Sequence, residues 1–206
     1  MEKREKGRNE TIQTIASRRS IRLFADKRVG EADIKKILEA ANHAPSAHNQ
    51  QSWRFIVVDG ETKSKLVNLV SASSGGFPRP SSVLLRMAAR SIASAPVVIA
   101  VINTGELICH GTDLFKIDKE SAHDFFRIME IQSSAAAVQN LLLAATSIGL
   151  ATVWLGILIL VKDEVLALLG EPKGEFMAVI PVGYSAVKNV SGPKKNPIEM
   201  AVKYLK

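Results

Sequence analysis

Cysteine is nearly missing from this 206-residue chain: Cys109 stands alone, which excludes a disulfide framework and any multi-cysteine metal site. Aromatic residues make up 5%, too few for the interleaved stacking side chains of a nucleic-acid-binding face. No apolar run approaches the ~20 residues of a membrane-spanning helix; the longest nearly unbroken one is Val153–Val161. The four histidines, His43, His48, His110 and His123, show no metal-ligand spacing. No GxSxG, GxGxxG or Walker-type loop is present. Cys109 and His110 are sequence neighbours, so their side chains tend to diverge and make a poor thiolate–imidazole pair. If the chain is an enzyme, its reactivity is expected to come from a cofactor.

What remains is ordinary globular material, with 47% hydrophobic and 23% charged residues. The length suits one domain over 1–206, with residues 1–9 expected to form a flexible tail. The charged start MEKREKGRNE is followed by no apolar core, so a signal peptide is not expected and the cytoplasm is the anticipated compartment.

The net charge of +7 is unevenly placed. Residues 1–30 hold nine Lys/Arg against four Asp/Glu, and residues 186–206 hold five against one. The stretch between them holds thirteen against fifteen. Positive charge at both ends of a slightly acidic body differs from the basic stripe of a nucleic-acid binder; solubility accounts for it in the first eight residues, and for the other basic residues a small anionic ligand stands beside that reading.

Hydrophobic spacing predicts helices over Glu10–Ser17 and Gly30–Asn42, the second from Ile34, Ile37, Leu38 and Ala41. Phe55–Val58 and Pro96–Ile102 read as buried strands, with helices over 63–70 and 84–92 between them. SASSGGFPRPSS (71–82) is rich in turn formers and reads as a mobile surface loop; 103–120 fits no element. A helix of about 42 Å is expected from Ser121, with Ser121 and Asp124 as a capping signal and Gly149 as the stop. Its small-residue middle, Ser133–Ala137, suits close approach of another helix, in the core of a monomer or at the interface of a homodimer. A strand at 151–155, a helix at 163–169 and a strand at 177–182 complete an α+β fold with a central sheet covered by helices.

Four segments could carry function. Ser17-Arg18-Arg19-Ser20-Ile21-Arg22 offers three guanidiniums and two hydroxyls, a donor set that matches phosphate. In an extended segment Arg18, Ser20 and Arg22 share one face, and the interleaved Ile21, Leu23 and Phe24 are expected to pack the segment against the body. The turn after Pro45 carries Ser46, Asn49 and Gln51, whose amides both donate and accept, as the polar edge of a heterocycle requires. Gly149–Gly156 ends a strand at a glycine that permits close backbone approach. Pro181–Tyr184 is followed by Lys194 and Lys195, which could complete an anion site begun by the arginines.

In this order the segments resemble the nitroreductase family of FMN-dependent oxidoreductases. The likeness runs from about Ile15 to Tyr204 and is most specific in RRSIRLF, ILEAANHAPSAHNQQSW and FIVV, with GLATVWLG and PVGY later. It implies a mostly antiparallel sheet and a long helix at a homodimer interface. Arg18, Arg19 and Ser20 would then meet the FMN phosphate and ribityl chain, and Arg22 the N1/O2 edge of the flavin. Pro45, Ser46, Ala47 and Asn49 would reach the flavin from the other subunit. Leu155 and Gly156 would lie beside N5, and Lys194 and Lys195 on the phosphate. No catalytic side chain and no metal is implied. NAD(P)H would reduce the flavin and an electrophile such as a nitroaromatic or quinone would reoxidise it, in a ping-pong sequence. A same-fold dehalogenase, ene reductase or flavin-degrading enzyme, or a non-catalytic flavin- or nucleic-acid-binding dimer, are the alternatives. Ser52 replaces the family's usual proline before the tryptophan, Asn196 stands where a basic residue is frequent, and Ala151 replaces a frequent glycine.

Overall fold

The computed structural model describes residues 9–115, 118–188 and 190–205; most of the expected tail 1–9 therefore lies outside the described residues. Two helices open the chain, α1 (Glu10–Ser17) and α2 (Glu31–Asn42). Asn9 caps α1 by accepting from the Ile12 N–H, a contact typical of a helix start. Ile34, Ile37 and Ala41 form the buried face of α2, as the 3.6-residue spacing requires.

Strand β1 (Trp53–Val58) is followed by α3 (Gly60–Ser73), α4 (Arg79–Ser94) and β2 (Val97–Asn103). The expected loop over 71–82 is not there. Helix α3 continues to Ser73, one 3-10 turn covers Ser74–Gly76, and α4 begins at Arg79 with a proline in its first turn. Proline there sacrifices an N–H that has no partner in any helix, so the residues read as breakers mark a helix start. Ser74 and Ser82 are buried, and the Ser82 hydroxyl accepts from Arg86.

Residues 103–120, unassigned from sequence, contain α5 (Glu106–Phe115) and the start of α6 (Lys119–Ser147). The long helix has 29 residues, close to the expected length, but its cap lies three residues earlier. Asp118 accepts from the Ser121 N–H at 2.9 Å, and this and the Ser121 hydroxyl hold its carboxyl below the usual carboxylate range. Gly149, at φ +80°, ends the element as expected. Strands β3 (Ala151–Thr152) and β4 (Glu175–Gly183) flank a six-residue 3-10 stretch, Gly156–Val161, and helix α7 (Lys162–Leu168).

The sheet has the order β1-β2-β4-β3 with every pairing antiparallel. Strand β2 is buried along its whole length, and its alternate side chains serve two layers. Val98, Ala100 and Ile102 pack with α3, α4 and α7; Val97, Ile99 and Val101 pack with α2 and α6. Each fully buried aliphatic side chain contributes about 1.5–3 kcal/mol relative to exposure, so this strand anchors both layers. Among the described residues no helix is long and apolar enough to cross a membrane.

Candidate cofactor site

After α1 the chain becomes an extended strap along the rim of the sheet. Ser20 bridges Thr152 in parallel, and the Ile21 N–H donates to the Thr152 carbonyl at 2.9 Å. Farther on Phe24 bridges Ser185, Ala25 donates to Tyr184 O at 2.8 Å, and Ala186 donates to Leu23 O at 3.1 Å. Ile21 and Phe24 are buried and pin the strap, while Ser20 and Arg22 are exposed; Leu23, expected to help pack the segment, is exposed as well.

Arg19 is bound more tightly than its neighbours. Its Nη1 donates to Ala16 O at 2.8 Å and Arg18 O at 2.7 Å, closing off the C-terminal end of α1. Its Nε is buried with no hydrogen-bond partner. Gly192, from the far end of the chain, lies flat on this guanidinium: a Cβ there would sit 2.8 Å from Arg19 Nε. Lys194 and Lys195 follow two and three residues later, both exposed. At ~3.3–3.6 Å per residue of extended chain, they lie within roughly 11 Å of that contact along the backbone.

Arg22 meets a third segment. With Trp154, Leu155, Gly156 and Ile157 it lines a recess of about 150 Å³ whose floor is Leu84, Met87, Ala88 and Ser91 of α4. Leu155 is fixed by its N–H to Val179 O at 2.9 Å. Thus the structure gathers Arg18–Arg22, Leu155–Gly156 and the stretch leading to Lys194 and Lys195 at one rim.

Pro45, Ser46, Ala47 and Asn49 are not among the residues lining that recess. Their turn follows α2 and is built tightly: Ser46 Oγ accepts from Gln51 N at 3.1 Å, and Ser133 Oγ on α6 accepts from Ala47 N at 3.1 Å. His48, Asn49 and Gln51 all have positive φ, 52°, 52° and 53°, a left-handed region that costs non-glycine residues about 1 kcal/mol or more each. Such strain persists where the surroundings impose it and is concentrated at functional sites. Trp53 Nε1 donates to Asn42 Oδ1 at 3.0 Å and closes the turn against α2.

Sequence reasoning missed Gly192, the α4 floor and the α6 side chains beneath the turn. For Glu130 and Ser133 a signal existed: polar residues one turn apart on a helix whose other inward positions, such as Phe126 and Val138, are apolar. For Gly192 there was none, since its contact with Arg19 spans almost the whole chain.

A profile of the Nitroreductase family matches residues 15–184. The chain belongs to the nitroreductase family. An Archaeoglobus fulgidus member, named for an expected NADH dehydrogenase/NAD(P)H nitroreductase activity, is 34% identical over 148 residues, 72% of this chain and 68% of its own. The FMN reductase [NAD(P)H] of Bacillus subtilis is 30% identical over 199 residues, 90% of this chain and 70% of its own. A nitroreductase with bound FMN from Desulfitobacterium hafniense has a TM-score of 0.70 at 25% identity, covering 97% of this chain and all of that one. A member from Desulfovibrio desulfuricans solved in complex with FMN gives 0.70 at 28%, covering 97% and 99%.

The rim of this nitroreductase-family chain suits a phosphorylated ligand on its own chemistry. The guanidiniums of Arg18, Arg19 and Arg22, the Ser20 hydroxyl and the two ammoniums of Lys194 and Lys195 are the donor types that match a dianion. The buried Nε of Arg19 and the glycine cradle over it show a guanidinium held in place.

Proposed function

We propose that this protein is an FMN-dependent NAD(P)H oxidoreductase acting on an electrophilic acceptor such as a nitroaromatic or a quinone. The observation that carries the reading is the seat of Gly192 on Arg19, which brings the cationic ends of the chain together beside the Leu155–Gly156 segment. FMN, the group bound in the Desulfitobacterium and Desulfovibrio relatives, would supply hydride transfer.

The chain's own residues bind and orient. Arg18, Ser20, Lys194 and Lys195 would neutralise the phosphate, with Arg19 holding the strap in register. Arg22 would keep a positive charge beside the N1/O2 edge, favouring electron-rich states of whatever lies there. Leu155 and Gly156 would present backbone to the N5 side; with no Cβ at Gly156 the approach is open. No side chain need act as acid or base for this chemistry.

The same reading makes the protein a homodimer, with Pro45, Ser46, Ala47 and Asn49 serving the partner's site. Their absence from the lining of the recess at Arg22 supports this. So do the exposed apolar residues Phe125 and Ile128 on α6 and Ile198, Met200, Tyr204 and Leu205 near the C-terminus, a surface suited to an interface. A cytoplasmic location accords with an exposed, unpaired Cys109.

The test is the absorption spectrum of the purified protein, then bleaching by NADH or NADPH and recovery on adding nitrobenzene or benzoquinone. A yellow protein that turns over is expected. Protein that neither retains nor binds added FMN would overturn the proposal, and an FMN-loaded monomer would overturn its dimeric part.

A further inference from the structure

Helix α5 has a narrow hold on the body. Leu107 joins a small cluster with Ala122 and Phe126 of α6, and Ala47 of the strained turn packs against the same cluster. Gly111 rests directly on the Phe126 ring, where a Cβ would come within 2.4 Å of its carbons. The start of the helix is held by one side chain from α6, Glu130. Its Oε1 accepts from Leu107 N at 2.8 Å, and the N–H groups of Ile108 and Gly105 also act on its carboxyl.

Glu130 is 1% exposed and has no ion-pair partner among the described residues, so its interactions are with neutral donors alone. Burying a carboxylate so is costly unless its lone pairs are used. Three N–H groups serve one side of it. On the other side, Oε2 and the hydroxyl of Ser52, itself 4% exposed, are both buried without a regular hydrogen bond, and that hydroxyl acts on the same carboxyl. Ser52 ends the Pro45–Ser52 turn and its carbonyl accepts from Thr104 N at 3.1 Å. One helical step along α6, Ser133 holds Ala47 N.

We propose that Glu130 is a positioning residue: with Ser52 it clasps the Pro45–Ser52 turn to the first turn of α5, so that the flavin-facing turn and the helix beside it move as one piece. Proline in place of Ser52 would leave Oε2 with no donor, so the clasp is a property of this chain. Its consequence for catalysis rests on the proposed function. A correctly placed α5 then favours acceptor binding by positioning alone.

The experiment uses the full chain with Glu130→Ala, Glu130→Gln and Ser52→Ala, read by amide hydrogen exchange over 105–109 with and without FMN, and by KM and kcat with one quinone. Alanine at 130 is expected to speed exchange at Leu107 and Ile108 by about tenfold or more and to raise KM by about threefold with kcat little changed. Glutamine, which keeps an acceptor for the N–H groups and offers an amide to Ser52, restores both. Ser52→Ala has a smaller effect of the same sign and adds nothing in the Glu130→Ala background. Unchanged exchange in Glu130→Ala, or additive effects of the two alanines, would overturn the clasp. If Glu130→Ala does not fold, Ser52→Ala decides: exchange and KM as in the wild type overturn it. Wild-type protein that binds no FMN would sink the proposed function, while the exchange comparison would still judge the clasp.

Discussion

The cationic rim and the polar seam under α6 use charge in opposite ways. At the rim, Ser20, Arg22, Lys194 and Lys195 are exposed, and what holds them is backbone pairing along β3 and one glycine contact on Arg19. In the seam, Glu130, Ser134 and Asn103 are 1% exposed or less; Glu130 accepts from Leu107 N at 2.8 Å, and the Ser134 hydroxyl donates to Asn103 Oδ1. Hydrated cations contribute little to folding and stay free to meet an anion. The buried carboxylate of Glu130 serves the backbone of α5 through Oε1, and its loss leaves that N–H without an acceptor. One region is therefore arranged for binding and the other for architecture, and substitutions should separate them.

The sharpest break is Glu130→Ala, which leaves buried N–H groups without an acceptor and is expected to lower stability by about 3 kcal/mol. Urea unfolding measures it, and FMN affinity per folded molecule should change much less. Arg22→Ala is the mirror case: an unfolding midpoint within experimental scatter of the wild type, and an FMN Kd raised about thirtyfold for a lost charge-assisted contact of about 2 kcal/mol, read by flavin fluorescence titration. Gly192→Ala should give about fivefold weaker FMN binding, because its Cβ displaces Arg19 by a few tenths of an ångström; equal affinity would show that the cradle is not used.

The smallest effect is in pH. Burial pushes the Glu130 carboxyl above the ordinary glutamate range, against hydrogen bonds from Leu107, Ser52, Ile108 and Gly105 that lower it. The folded protein then holds this proton to higher pH than the unfolded chain does. Stability contributed by the group is complete below the unfolded value, declines as pH rises towards the folded value, and is level above it. Glu130→Gln should remove that decline, so the difference between the two proteins' stability–pH curves isolates it. A difference curve that is flat from pH 4 to 8 would show that the carboxyl titrates alike in both states.

Legibility followed the range of the interaction. Helix α1 has the predicted bounds, and α2, α6 and the buried strands fall within a few residues of expectation, because periodicity and caps are local signals. The stretch 71–82 differs from expectation because serine, glycine and proline are turn formers locally, while here proline lies at the start of α4 and Ser74 and Ser82 are buried. Helix α5 stayed hidden because what secures it is Glu130, a residue of another helix. At the site, Arg18–Arg22 and Lys194–Lys195 were readable as donors from their side chains alone. That they share a rim depends on Gly192, and no local pattern marks which distant side chain a glycine will cover.

The contact between Arg19 and Gly192 also sets an order of events. During synthesis the arginine emerges early and the glycine only after all four strands have been made. A chain halted between β4 and Gly192 carries the sheet and the long helix yet lacks the contact that seats Arg19. Binding that depends on a seated Arg19 would then require Gly192 to have been made and docked.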